Sequence, residues 1–255
     1  MKKFFLLAIT ASAIAFASCK KDKATAPAPV PETPARLLTK ITKTENNVTT
    51  VFNFSYDATK RLTAYKSTDN KVGIIFTYDG NGNIVKVEDN EDHFKNIYTY
   101  AYTNNLPVSG TFKSWQKTAG EPDNLIEDDQ LGYTVSNNQV TKIHVSFMQS
   151  QDAADFDLAY GSNGNLTKVT GGSTGYTASF GYGTKKPVFP VVSKFVLDQA
   201  GFSLQFAAKN ELLTVAFDFP GSQFDESTTN QYTYDSNGYV LTSNDGAAHI
   251  IYEYQ

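Results

Sequence analysis

The sequence predicts an all-β protein, an antiparallel up-and-down meander curled or closed into a soluble barrel-like sheet. Three observations predict it. Phe, Tyr, Thr and Val alternate with polar residues in short runs along residues 37–255, as in strands half-buried on one face. Clusters of Asn, Asp and Gly punctuate those runs and supply turns. One hairpin, Phe76-Thr77-Tyr78-Asp79-Gly80-Asn81-Gly82-Asn83-Ile84-Val85-Lys86-Val87, recurs in variant form along the chain.

The copies align on a tyrosine. Tyr56, Tyr78, Tyr100, Tyr160, Tyr182 and Tyr234 each follow a large apolar residue by two positions: Phe54, Phe76, Tyr98, Leu158, Phe180 and Tyr232. Six positions later stand Leu62, Ile84, Leu106, Leu166, Val188 and Val240. A two-residue Asn81-Gly82 loop would put Tyr78 opposite Val85, a position that is mixed in the other copies. A three-residue loop with a left-handed Gly82 puts it opposite Ile84, apolar in every copy, so the three-residue loop and its bulge are expected. Such a cross-strand pair contributes about 0.2–1 kcal/mol. Asp79 is placed to hydrogen-bond the backbone two residues on.

The Tyr-Asp-x-x-Gly-x-Ile/Leu pattern, in Tyr78-Asp79…Gly82…Ile84 and Tyr234-Asp235…Gly238…Val240, resembles the YD repeat of Rhs-type proteins. Joined to the leader described next, it resembles the uncharacterised Bacteroidota-type lipoproteins with a porin-like meander fold. The resemblance covers residues 37–255 and departs at Tyr160-Gly161 and Tyr182-Gly183, where the aspartate is missing. That family implies a fold and an address, with no activity attached.

Residues 1–18 read as a lipoprotein signal peptide: Lys2 and Lys3, then an apolar run from Phe4 to Ala17, too short to span a bilayer. The run ends Phe16-Ala17-Ser18-Cys19, similar to a lipobox, and makes Cys19 the expected lipidation site. As the single cysteine, Cys19 leaves no internal disulfide. Residues 19–36, with an Ala/Pro-rich stretch from Ala24 to Ala35, read as a tether. Lys20 is not the aspartate that resembles an inner-membrane retention signal. The outer membrane is therefore the expected address, on its periplasmic or its outer face.

Residues 37–255 read as one domain of strands from Leu37–Thr44 to His249–Tyr254. Ser114–Gln130, with Gly120, Pro122 and the acids Glu127, Asp128 and Asp129, reads as a long loop. Phe202–Ala207 reads as a strand and Lys194–Ala200 as a short helical turn.

Removing Lys2 and Lys3 with the leader takes the net charge from −4 to −6, and an acidic domain is not built for nucleic acid. Gly171-Gly172-Ser173-Thr174-Gly175 matches a nucleophile-elbow spacing, but a strand follows it instead of a helix, so it reads as a turn. Asp79, Asn81 and Asn83 have the spacing of half a calcium loop and lack the rest, so turn formation explains them. His93, His144 and His249 show no metal-ligand spacing. Glu88–Asp92 and Glu121–Asp129 read as solvated loops. No metal, cofactor or catalytic residue is therefore expected. The tyrosines and phenylalanines fit the packed face of a sheet better than an exposed platform. Trp115 is the candidate exposed ligand contact.

The expected function is non-catalytic: a lipoprotein held on the outer membrane by its N-terminal lipid, binding or scaffolding in the envelope. A surface glycan-binding protein using exposed aromatics is the alternative, and a hydrolase on Ser173 or an acidic pair comes third. Glycans or envelope proteins are the candidate partners.

Overall fold

The first strand of the chain meets its last. In the computed structural model, which describes residues 36–172, 175–198, 203–221 and 225–255, Leu38–Glu45 (β1) pairs on one side with Val48–Tyr56 (β2) and on the other with Ala248–Tyr254 (β17). Between them come β3 (Leu62–Ser67), β4 (Gly73–Tyr78), β5 (Ile84–Asn90), β6 (Phe94–Thr103), β7 (Leu106–Gln116), β8 (Asn124–Ser136), β9 (Gln139–Phe147), β10 (Asp152–Tyr160), β11 (Leu166–Gly171) and β12 (Thr177–Tyr182). A single helical turn, α1 (Leu204–Ala207), precedes β13 (Leu212–Asp218), β14 (Glu226–Thr229), β15 (Gln231–Tyr234) and β16 (Val240–Asn244). The seventeen strands belong to one sheet, and sequence neighbours pair antiparallel. β14 pairs with β13 and β15 with β16, the two running on through Asn230, and this hand-over leaves the ring of strands a nearly closed barrel.

The tyrosine hairpins set the register. Tyr78 stands opposite Ile84 with a bulge after Thr77, and Tyr56–Leu62, Tyr160–Leu166 and Tyr234–Val240 repeat the arrangement. Gly82, Gly164 and Gly238 take φ of 83°, 78° and 78°, and Lys60 occupies the same left-handed slot at 65°. Asp79 Oδ1 accepts from the backbone N–H of Asn81 and of Asn83 at 2.9 and 2.8 Å, and Asp57 and Asp235 repeat this in their own turns. Where Gly161 replaces the aspartate, Asn163 Oδ1 accepts from Asn165 instead. The phenol also ties strands together. Tyr56, Tyr78 and Tyr160 donate to the carbonyls of Leu38, Leu62 and Val140 at 2.7, 2.7 and 2.9 Å, each at the start of the preceding strand.

Two copies depart from the expected register. Asn104-Asn105, at φ of 52° and 60°, makes a two-residue turn with Thr103 opposite Leu106, so Tyr100 lies inside the strand opposite Gly110. Tyr182 faces Leu212 and not Val188, because the described residues 183–198 and 203–211 leave the sheet and fill the barrel.

That filling segment is the core of the molecule. Phe195, Leu197 and Phe206 are fully buried among Phe76, Val87, Tyr100, Leu131, Val169 and Phe180 from the inner wall. Each such side chain contributes about 1.5–3 kcal/mol on burial. Charged side chains pair on the outer wall, Lys40 with Glu253, Lys86 with Glu88, Lys113 with Asp128, and Lys142 with Asp155 and Asp157, and exposed apolar residues such as Ile75, Val108, Leu241 and Ile251 stand among them. A transmembrane barrel has the reverse arrangement, apolar outside and polar inside.

Three sequence expectations are corrected. Ser114–Gln130 is not a long loop: β7 runs to Gln116, β8 starts at Asn124, and only residues 117–123 turn between them. Gly120 and Pro122 mark that turn, while alternation continues on both sides. Residues 204–207 form a helical turn and not part of a strand, and the described part of the expected helical turn, Lys194–Asp198, is not helical. Inside the lumen no strand edge is free, so the backbone closes its own bonds, Ala208 N–H to the Leu204 carbonyl among them.

Candidate functional site

The up-and-down path gives the barrel two distinct ends. Asp57, Asp79 and Asp235 turn at one end, where the chain's Arg36 is also fixed. Its guanidinium bonds Asp235 at 2.9 Å, and its backbone N–H donates to the Tyr239 hydroxyl. The filling segment, described at 183–198 and 203–211, is held there by Asn165, which is 1 % exposed, accepts from Lys209 N–H at 2.7 Å and donates to Asn210. Lys185, Lys186, Lys194 and Lys209 lie on this segment.

The other end opens into a cavity of about 480 Å³. Tyr98 of β6 and Phe112 of β7 stack at 4.7 Å between centroids on one wall. Opposite them stand Phe217 of β13 and the pair Tyr176–Phe219, whose ring centroids are 5.0 Å apart. Glu127, Asp129 and Leu131 line it from β8, Glu226 from β14, and Asp198 closes it from the filling segment. Among the described residues that line it there is no Lys, Arg or His.

Strand pairing builds this site. Val87, Tyr98, Phe112 and Asp129 are successive cross-strand partners on β5 to β8, forming one lateral row. Asp89, Asn96, Ser114 and Glu127 form the next row toward the mouth. Ser114 donates to Asn96 Oδ1 at 2.7 Å and Asn96 donates to Asp89 at 3.4 Å, so a buried polar belt leads from the cavity to a second recess of about 420 Å³ beside Tyr65, Ile74 and His93. Asp89 and Asp129 are 8 % and 3 % exposed. Burial, followed by contact with the Glu127 carboxyl, pushes Asp129 up to about 7. Asp89 is pushed up to about 6, again mainly by burial.

The acidic runs read as solvated loops are thus corrected: alternation along β5 and β8 turns Asp89, Glu127 and Asp129 inward. Had residues 124–136 been read at period two, Glu127 and Asp129 would have fallen in phase with Leu131 and Tyr133, which exposes the signal that was missed.

Trp115 does not join the cavity. It is half-buried, opposite Lys95 and Leu125, with the Lys95 ammonium 5.7 Å from its ring. Cys19 and Ser173 lie outside the described residues. His93 borders the second recess, His144 bonds Asp155 at 2.8 Å, and His249 sits in β17, so the structure keeps the three histidines apart. The Asp79 carboxylate is taken up by turn donors, Asn83 Nδ2 included. Among the described residues no three His, Cys, Asp or Glu side chains are grouped as metal ligands.

No protein-family model matches the chain, and no curated protein does. Solved structures with a similar backbone path include a porin-like protein from Bacteroides vulgatus ATCC 8482, at 9% identity and TM-score 0.45, covering 87% of this chain and 99% of that one. A porin-like protein from Bacteroides uniformis ATCC 8492 matches at 13% identity and TM-score 0.46, over 86% of this chain and 98% of that one. The description porin-like belongs to those proteins. In this chain apolar side chains of the segment between β12 and β13 fill the lumen, and Lys–Asp/Glu pairs stand on the outer wall.

Proposed function

We propose that the protein is a non-catalytic binding protein of the cell envelope, lipid-anchored at Cys19, that holds a blind cavity open to water at one end of a filled barrel. The observation that carries this reading is the cavity itself: concave, walled by five aromatic rings, with carboxylates converging on it, Asp198 of the filling segment among them. Arg36, the first described residue, is at the end of the barrel opposite the cavity. The ion pairs distributed over the outer wall support a barrel that stands in water, and the filled lumen supports binding over passage.

Glycan binding is the second reading, favoured by ring faces beside carboxylates. It rests on Tyr98, Phe112, Tyr176, Phe217 and Phe219, and not on Trp115. Hydrolysis would require one of the converging acids to act on a bound substrate; the Glu127–Asp129 pair is the place to look.

Fractionation tests the anchor: Cys19→Ala should move the protein from the membrane to the soluble fraction, and retention in the membrane would refute anchoring. Ligand-detected NMR on that soluble variant, with a panel of neutral sugars and small amines, tests the cavity. Binding that is lost in a Phe217→Ala, Tyr176→Ala double variant supports the reading. Absence of binding by the whole panel rejects it.

A further inference from the structure

The charge of the cavity is one-sided. Glu127, Asp129, Asp198 and Glu226 face it from three elements, with the phenols of Tyr98 and Tyr176 as the other titratable groups. The nearest lysine on β7, Lys113, is turned outward and engaged by Asp128. Asp129 is 3 % exposed, and the hydrogen-bond partner of its carboxyl is another acid, Glu127. A pair of buried acids with no counter-charge beside it is costly to ionise, and a bound cation removes that cost. Aromatic faces attract cations lying within about 6 Å of the ring centre, more strongly when water is excluded. Here two aromatic pairs and Phe217 surround the carboxylates.

Resting on the binding reading above, we propose that the ligand is an organic cation, an alkylammonium or guanidinium group on a small apolar body. Its charge sits against Asp129 and Glu127, and its carbon skeleton lies between Tyr98 and Tyr176. A bare metal ion is a poorer match, because among the described residues the acids are not grouped as a ligand set. A neutral sugar would leave the Asp129–Glu127 charge uncompensated. Occupation by a cation favours the ionised carboxylate, so binding strengthens as pH rises and takes place with release of a proton.

The test uses the full-length Cys19→Ala chain, titrated by calorimetry and followed by aromatic NMR resonances. The probes are choline, its neutral carbon isostere 3,3-dimethylbutan-1-ol, and N-acetylglucosamine. Choline should bind at least about tenfold more tightly than the alcohol, shift the Tyr98 and Tyr176 rings, and tighten between about pH 5.5 and pH 8. Asp129→Asn, with its circular dichroism unchanged, should weaken choline at least about tenfold and leave the alcohol unaffected. An alcohol or sugar that binds in the cavity as well as choline, or an Asp129→Asn variant that keeps choline affinity, overturns the cation assignment and leaves the binding reading standing. Unmoved ring resonances with every probe at about 50 mM overturn both, since even weak cavity binding is visible there.

Discussion

Glu127 and Asp129, two residues apart on the inward face of β8, bring their carboxyls together inside the barrel, and burial with that contact pushes Asp129 up to about 7. An acid raised in the folded state and ordinary in the unfolded chain lowers stability as pH climbs from the unfolded value toward the folded one. Asp129→Asn removes that cost. Its melting temperature should match the parent near pH 4 and exceed it near pH 8, by about 2–4 °C for each kcal/mol recovered. Equal differences at both pH values would contradict the buried, raised carboxyl.

The turn aspartates work with the opposite sign. Hydrogen bonds from Asn83 and turn N–H groups hold Asp79 below the usual carboxylate range, and the Tyr239 N–H does the same for Asp235. Their contribution is present above the unfolded value, about 4, and lost as pH falls below it. Replacing Asp79 and Asp235 with Ala should therefore flatten the fall in melting temperature between about pH 4 and pH 2. An unchanged acid limb would show that these carboxylates do not support the turns.

The Tyr78 hydroxyl donates to the Leu62 carbonyl at 2.7 Å. Tyr78→Phe keeps the packed ring and strands that carbonyl, at a cost of about 1–3 kcal/mol by denaturant titration. Tyr56→Phe should cost a similar amount, and the two should add, since their bonds are separate. A cost near zero would mean the repeat selects tyrosine for another reason.

Lys60 holds φ of 65° where three other hairpins carry glycine. Lys60→Gly should raise stability by roughly 0.5–1 kcal/mol and Gly82→Ala should lower it by about 1 kcal/mol. Thermal melts of both variants check the opposed signs.

Asn165 fastens the filling segment by Lys209 N–H and Asn210. Asn165→Ala should cost about 1–3 kcal/mol and speed hydrogen exchange in residues 185–209 ahead of the strands. Uniform exchange across the barrel would show that segment and wall open together.

The hairpins were legible because their signal is local: Tyr78, Gly82 and Ile84 carry turn, bulge and register within seven residues. The interior was not. Val188 sits where a repeat copy would put it, yet the pairing of Tyr182 with Leu212 is set by a distant strand that the spacing does not announce. Asp89 and Asp129 look like loop acids in one dimension, and only the lateral rows of β5 to β8 bring them to one mouth. The aromatic packing of the tyrosines was readable, and their bonds to Leu38, Leu62 and Val140 were not, since these need the neighbouring strand in place.

The whole account depends on a filled barrel whose charged wall meets water. The far-ultraviolet circular dichroism of full-length Cys19→Ala protein, purified without detergent, tests this most directly. The account predicts a β-sheet spectrum that melts cooperatively and is unchanged by added lipid vesicles. A spectrum lacking β structure until vesicles are supplied would contradict it.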